Sequence, residues 1–186
     1  MDDLFAAALA IQATCVRRGF GHCIIGGVAV LRWGAPRVTR DVDIAVLADF
    51  GRERVVVDGL LDEFAGRIPD AAAFAVRNRV LLLKTAVGVE IDVSLAALDF
   101  ERAMIDQATE FEPLPGVRLR TCGAEDLVVM KAFANRPRDW DAVESIARCQ
   151  PALDWPRVFT DLTPLADVKG DPSILERLAA VKRNLQ

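Results

Sequence analysis

The sequence predicts an α+β fold, in which a small mixed sheet with flanking helices is followed by a C-terminal helical segment. Short runs of β-branched and apolar residues alternate with segments of helical periodicity as far as residue 122. From Ala124 onward the pattern is helical, interrupted by proline and glycine. A chain of 186 residues is long enough for one sizeable core and a smaller appendage. We therefore expect an α+β core over residues 1–122 and a helical segment, packed on that core, over residues 123–186.

The first part of the core is predicted to contain two helices and two strands. Apolar residues at helical spacing, followed by two arginines and Gly19, indicate a helix over residues 3–18. Residues 22–25 form an apolar run typical of a buried strand, and residues 28–33 indicate a short helix. Residues 41–47 (DVDIAVL) combine β-branched side chains with polar ones on alternate positions, which predicts a strand with one functional edge.

The rest of the core is predicted to continue with a helix, a hairpin and a strand pair. Apolar residues on one stripe indicate a helix over residues 51–67, and two strand-like runs at 79–86 and 89–95 indicate a hairpin. A short helix near residues 99–107 and a strand pair around residues 113–116 follow. The helices of the C-terminal segment are predicted at residues 124–134, 139–149, 155–167 and 172–184.

Composition argues against several classes of function. A formal net charge of −4 is unlike that of proteins that hold nucleic acid by broad phosphate neutralisation. Four scattered cysteines without a C-x-x-C pair argue against a zinc site and a disulfide framework. The single histidine, His22, nearly excludes His-based triads, and we expect it to pack. The acidic start and the absence of a long apolar run argue against a signal peptide and a membrane span, so a cytoplasmic location is expected.

Three aspartates carry the predicted chemistry. Asp41 and Asp43 project to the same side of their strand, because side chains alternate between its two faces. Asp92 lies on a second predicted strand, whose polar face also carries Glu90. If these strands are neighbours, three carboxylates converge into a set that suits a hard divalent cation with positions open to phosphate. An isolated D-x-D pattern is more often a polar strand edge, so the surrounding motifs decide its meaning.

A glycine pair precedes this acidic pair. Gly26 and Gly27 lie between a predicted strand and a short helix, where a bare backbone lets N–H groups approach a phosphate at the helix N-terminus. A tight turn that needs glycine for packing explains the pair equally well. Neither a P-loop nor a G-x-G-x-x-G fingerprint occurs in the sequence.

Together these motifs resemble the signature of the DNA polymerase beta-like nucleotidyltransferase superfamily. The resemblance rests on IIGGVA over residues 24–29 and RVTRDVDI over residues 37–44, and it extends over about residues 22–149. The R-x-T-x-D-x-D motif is similar to that of the AbiE-like abortive-infection toxins and their bacterial relatives. The resemblance implies a nucleotidyltransferase core that binds Mg²⁺ or Mn²⁺. It further implies that the catalytic residues and metal ligands are Asp41, Asp43 and Asp92.

Contacts to the nucleotide are expected from Gly26, Gly27, Arg37, Thr39 and Lys131. Most members of the superfamily have Gly-Ser at the glycine pair, and here Thr39 offers a hydroxyl nearby. Lys131 is the one charge on an apolar helix turn, so it is expected to reach the triphosphate or the carboxylates, with snorkelling to the surface as the alternative. Arg138 and Asp139 resemble an Arg-Asp element of the toxin branch. For these two we expect a structural salt bridge with the core, and the alternative is a role in the active site.

The sequence thus predicts a magnesium-dependent nucleotidyltransferase that moves a nucleoside monophosphate (NMP) from a nucleoside triphosphate (NTP) to an acceptor. The acceptor is left open among RNA such as tRNA, a protein and a small molecule. If the chain is a toxin, an antitoxin partner is expected. The alternative is an NTP-binding or antitoxin-like module of the same fold that does not catalyse the transfer.

Overall fold

The computed structural model describes residues 2–185 as helices interleaved with strands up to residue 121 and as helices thereafter. The helices are α1 (Asp2–Arg18), α2 (Gly26–Trp33), α3 (Glu53–Leu61), α4 (Ala71–Asn78), α5 (Asp99–Asp106), α6 (Ala124–Ala134), α7 (Pro137–Cys149), α8 (Trp155–Lys169) and α9 (Ser173–Arg183). The strands are β1 (His22–Ile24), β2 (Asp41–Leu47), β3 (Ala65–Gly66), β4 (Val80–Lys84), β5 (Glu90–Ala96), β6 (Thr109–Leu114) and β7 (Val117–Thr121). The predicted α+β class is confirmed.

The strands form one mixed sheet in the order β3-β4-β5-β2-β1-β7-β6. The neighbouring pairs β2/β5 and β1/β7 are parallel, and the other neighbours are antiparallel. Parallel neighbours need a crossover, and between β2 and β5 the crossover contains α3, β3, α4 and β4. This crossover places the two strands that carry the predicted aspartates side by side.

Contacts along the chain divide it into two units. The first contains the residues up to Ala29 together with Val38–Cys122, and it includes the whole sheet. The second contains Val30–Arg37 together with the residues from Gly123 onward. The sequence does not indicate that Val30–Arg37 groups with the C-terminal helices.

In the first unit, the alternation predicted for β2 separates core from surface. Val42, Ile44 and Val46 are fully buried, whereas Asp41 is exposed and Asp43 is half-buried on the other face. Helix α1 packs against β1, β2 and β7, and α5 packs against β2 and β1. Burial of the β-branched side chains stabilises the strand by roughly 1.5–3 kcal/mol for each one, and so holds the aspartates at fixed positions.

In the second unit, α6 packs against α7, α8 and α9. Its residues Leu127, Val128, Val129 and Ala132 are fully buried, which explains why its sequence is apolar on all sides and not on one stripe. Neither α6 nor any other helix within residues 2–185 is both long and apolar enough to cross a membrane.

The three main differences from the prediction concern the end of one helix, a helix that was not predicted and the start of another helix. The helix predicted over residues 51–67 ends at Leu61, because residues 65–66 pair with β4 as an edge strand and this tertiary pairing outweighs helical propensity. Helix α4 occupies a segment to which the sequence analysis assigned no element. Helix α2 begins at Gly26 and not at residue 28, so the glycine pair forms its first turn.

His22 is packed in the first unit, as the sequence predicts. It is 7% exposed, and its Nδ1 lies 2.9 Å from the Phe20 carbonyl oxygen. Its Nε2 is buried and has no hydrogen-bond partner within the described part of the chain. Burial lowers the pKa of His22 below its usual value of 6.5, and the Arg120 guanidinium lowers it further. The hydrogen bond to the Phe20 carbonyl raises this pKa but does not outweigh burial.

Protonation of His22 is therefore expected to destabilise the fold at acidic pH. The folded pKa lies below the unfolded one, so the contribution to stability is complete above pH 6.5 and is lost as the pH falls through the folded pKa. The variant His22→Gln should show a smaller loss of unfolding free energy between pH 7.5 and pH 5, measured by urea denaturation. Equal pH dependence of the two proteins would contradict this assignment.

Candidate active site

The turn between β1 and α2 is built on two glycines that pack against Asp43. Gly26 has a left-handed φ of +57°, and a Cβ atom at this position would lie 1.8 Å from Asp43 Oδ2. The Gly27 N–H donates a hydrogen bond of 3.2 Å to the same oxygen. Backbone geometry and space therefore both require glycine at position 26. The contact of either glycine with a nucleotide stays a prediction.

The register of β2 and β5 brings the predicted aspartates onto one face. Asp43 lies directly opposite Asp92, and Asp41 lies opposite Glu90. Residues paired across adjacent strands point to the same face, so these four carboxylates form two neighbouring pairs there, which we call the acidic row. Asp43 and Asp92 are half-buried, and Asp41 and Glu90 are exposed. The sequence predicted the alternation along each strand, and the sheet supplies the pairing between them.

The Thr39 hydroxyl lies beside both the glycine pair and the acidic row. It donates a hydrogen bond of 3.1 Å to Asp41 Oδ1. A Cβ atom on Gly27 would lie 2.1 Å from Thr39 Oγ1, so the hydroxyl occupies the space in front of this glycine. A polar oxygen thus lies at the first turn of α2 although position 27 has no side chain. The contact of Thr39 with a nucleotide stays a prediction.

Arg67 joins this site although the sequence analysis did not identify it. Its Nη2 donates a hydrogen bond of 2.8 Å to Asp92 Oδ1, and its Nη1 forms an ion pair with Glu90. Its backbone N–H donates to the Leu82 carbonyl, which extends the pairing of β3 with β4 by one residue. The sequence predicts Arg67 at the end of a helix, and no local pattern indicates its position beside β5.

Burial raises the pKa of Asp92 above its usual value. The Arg67 guanidinium opposes that shift, and the Asp41 carboxylate adds to it. Asp92 is consequently a better proton acceptor than an ordinary exposed aspartate, which is the property needed in a general base.

The carboxylates suit a divalent cation in chemistry but do not converge on one point as they stand. Each of the three aspartates has a hydrogen-bond partner: the Thr39 hydroxyl for Asp41, the Gly27 N–H for Asp43 and the Arg67 guanidinium for Asp92. Within residues 2–185, no three Asp, Glu, His or Cys side chains are arranged to hold a metal ion together. Hard oxygen donors on one sheet face nevertheless fit the preference of Mg²⁺. Metal binding would require at least one carboxylate to turn from its present partner.

The two remaining predicted nucleotide contacts belong to the second unit. Arg37 is exposed in the segment before β2. Lys131 does not snorkel freely, because its Nζ lies 3.1 Å from Asp139 Oδ1 and its side chain is only 14% exposed. Asp139 also pairs with Arg136, whereas Arg138 is exposed. Asp139 thus forms its salt bridges within the second unit, and not with the core as predicted. The nucleotide roles of Arg37 and Lys131 stay predictions.

A cavity of about 350 Å³ in the first unit lies away from the acidic row. It is lined by Leu47 and Asp49 and by the arginines Arg18, Arg52 and Arg102. Leu47 ends β2, and Asp41 begins it, so at ~3.3 Å for each residue the two ends are about 20 Å apart.

Sequence comparison identifies a family. A family model described as nucleotidyl transferase of unknown function (DUF2204) matches residues 5–180. No curated protein is significantly similar to the chain in sequence.

Solved structures share the fold. An antigenic nucleotidyltransferase-like protein from Paracoccidioides brasiliensis is 16% identical, with a TM-score of 0.53 over 97% of this chain and 94% of its own. The antibiotic-resistance factor ANT(2'')-Ia is 18% identical, with a TM-score of 0.57 over 99% of this chain and 98% of its own. At such low identity these two structures support the fold alone.

Proposed function

The chain belongs to this family of nucleotidyl transferases, and from that premise we propose that it transfers an NMP from an NTP to an acceptor hydroxyl and releases diphosphate. Asp41, Asp43 and Asp92 are the proposed catalytic residues and the ligands of Mg²⁺ or Mn²⁺. The observation that carries the proposal is the packing of the glycine turn on Asp43, directly opposite Asp92. This packing joins the helix N-terminus and the acidic row in one site.

In the proposed reaction, the acceptor oxygen attacks the α-phosphorus of the NTP. The bond from that phosphorus to the oxygen bridging the α- and β-phosphates breaks, and diphosphate leaves with its electron pair. Asp92 takes the proton of the acceptor hydroxyl, because it is a carboxylate on the same face as Asp41 and Asp43. The first turn of α2 and the Thr39 hydroxyl provide donors for phosphate oxygens.

A divalent cation bound at the aspartates would neutralise the triphosphate and lower the pKa of an oxygen bound to it. Asp43 is the best-placed ligand because the glycine turn fixes its position. Asp41 and Asp92 reach the same face from β2 and β5. Asp41 would exchange Thr39, at least in part, for the ion. Asp92 would keep its bond from Arg67 through Oδ1.

The proposed acceptor is a small molecule or a protein in preference to nucleic acid. The net charge is −4, and the site itself presents the exposed carboxylates of Asp41 and Glu90, which repel a polyanion.

The test is incubation of the purified protein with each α-³²P-labelled NTP, Mg²⁺, and one of three acceptors: total tRNA, cell lysate protein or a panel of hydroxyl-bearing small molecules. A labelled product together with diphosphate release supports transfer and identifies the acceptor class. Calorimetric binding of an NTP with Mg²⁺ but without diphosphate release under any of these conditions would instead support the non-catalytic module.

Gly26→Ala is expected to reduce transfer by about 100-fold. The new Cβ meets Asp43 at 1.8 Å and forces this carboxylate out of place, and a displacement of about 1 Å at a reacting group costs on this order. The left-handed backbone adds roughly 1–2 kcal/mol of strain to the folded state. Gly19→Ala is the matched control, since Gly19 has a φ of +68° and no atom within 4 Å of the added Cβ. Comparable loss of transfer in both variants would show that backbone strain alone is responsible.

Within this function we propose assignment to the AbiE-like toxin branch, with an antitoxin partner. This assignment is supported by the R-x-T-x-D-x-D motif at residues 37–43. Induction of the chain in a bacterial host should then arrest growth, and Asp43→Asn should relieve the arrest. Normal growth despite confirmed transferase activity would contradict the toxin assignment but not the proposed NMP transfer.

A further inference from the structure

Arg67 occupies a row of residues that crosses the sheet at the proposed site. Its backbone pairs with Leu82, Leu82 is opposite Asp92, and Asp92 is opposite Asp43. Residues paired in this way share a face, so the guanidinium extends over Leu82 toward Asp92. The geometry of three strands therefore brings this arginine to the acidic row.

The contact is specific in its form. One nitrogen of the guanidinium binds Asp92 at 2.8 Å and another binds Glu90, and the arginine side chain is only 22% exposed. A planar fork with two partners holds a carboxylate in one orientation, which a lysine ammonium cannot do as well. The bond engages Asp92 through Oδ1.

We propose that Arg67 is the positioning residue of Asp92. By holding Oδ1, it directs Oδ2 toward the acceptor hydroxyl and so fixes the group that accepts the proton. This role rests on the proposed transfer reaction. In this role Arg67 acts through Asp92 and is not itself a catalytic residue.

The same contact places a positive charge beside the carboxylates that are proposed to bind metal. A cation next to a ligand weakens the binding of a second cation, because like charges repel. Loss of the Arg67 charge should therefore change two measurements in opposite directions: metal binding becomes tighter while transfer becomes slower. A substitution that only disordered the site would weaken metal binding and slow transfer as well.

The test compares Arg67→Gln and Arg67→Lys with the wild type. Mn²⁺ affinity is measured without NTP by electron paramagnetic resonance, and transfer is measured at saturating Mn²⁺. For Arg67→Gln we expect Mn²⁺ to bind about three- to tenfold more tightly. We also expect kcat to fall by about 10- to 100-fold with little change in the KM for NTP. Arg67→Lys keeps the charge, so its Mn²⁺ affinity should stay near that of the wild type and its kcat should lie between the two.

Arg18→Gln is the matched control. Arg18 also bridges two carboxylates, Asp62 at 3.0 Å and Glu63 at 3.4 Å, but it lies outside the proposed site. This variant should match the wild type in both measurements. Weaker or unchanged Mn²⁺ binding in Arg67→Gln, or a kcat within twofold of the wild type, would overturn the positioning role. If the wild type transfers nothing, the proposed function fails, and the Mn²⁺ titration still decides whether Arg67 acts on Asp92.

Discussion

Asp43→Asn is expected to reduce NMP transfer by about three orders of magnitude and to leave the fold intact. The substitution removes the negative charge from the carboxylate that the glycine turn fixes, and charge stabilisation by a bound metal is worth several kcal/mol in the transition state. The shape of the side chain is preserved. The Gly27 N–H can still donate to the side-chain oxygen of asparagine, so the turn between β1 and α2 should persist.

This result is measured as kcat with a labelled NTP and Mg²⁺, beside thermal unfolding of both proteins. Asp62→Asn is the control, because Asp62 is an aspartate of the first unit that is 67% exposed and pairs only with surface Arg18 in the described contacts. The control should retain wild-type transfer. Full activity of Asp43→Asn would contradict the proposal that the acidic row is the catalytic and metal-binding site.

Asp139→Asn is expected to destabilise the second unit by about 3–5 kcal/mol. Asp139 is 2% exposed at its side chain, and Lys131, its partner at 3.1 Å, is 14% exposed. Removing one member of a buried pair leaves the other charge without compensation. Arg136 also pairs with Asp139, but its side chain is more than half exposed, so water can replace the contact that it loses.

The pKa of Asp139 gives the same prediction a pH dependence. Burial raises this pKa, but hydrogen bonds from Arg136 and Lys131 outweigh burial and hold it below its usual value of 3.8. A depressed folded pKa means that the stabilisation is complete above the unfolded pKa and is lost as the pH falls through the folded one. The difference in unfolding free energy between wild type and Asp139→Asn, measured in urea, should therefore shrink below about pH 4.

A double variant separates the structural role of Lys131 from its predicted nucleotide contact. Lys131→Met with Asp139→Leu removes both buried charges, and replacement of a buried pair by apolar residues is often neutral for stability. We expect the double variant to regain most of the stability lost in Asp139→Asn. If its affinity for NTP then equals that of the wild type, Lys131 serves the fold alone. Weaker NTP binding in this stable background would support the nucleotide contact.

Local periodicity identified the strand of the acidic pair and the buried helix that carries Lys131. The predicted strand over residues 41–47 and the predicted helix over residues 124–134 have the same bounds as β2 and α6. Both patterns depend on which side chains follow one another along the chain, and burial of one face preserves them in the fold. The prediction failed at residues 62–67, where an edge strand replaced the end of a helix.

The sequence by itself thus determined the α+β class, the alternation that puts Asp41 and Asp43 on one face, and the likeness of their motif to nucleotidyltransferases. Only the tertiary structure decided that Asp43 faces Asp92, that Gly26 has no room for a side chain, and that Arg67 holds Asp92. The physical reason is distance along the chain. Alternation is a property of adjacent residues, whereas the contacts of Asp43 with Gly26 and Asp92, and that of Arg67 with Asp92, join residues of different elements and depend on how the whole sheet closes.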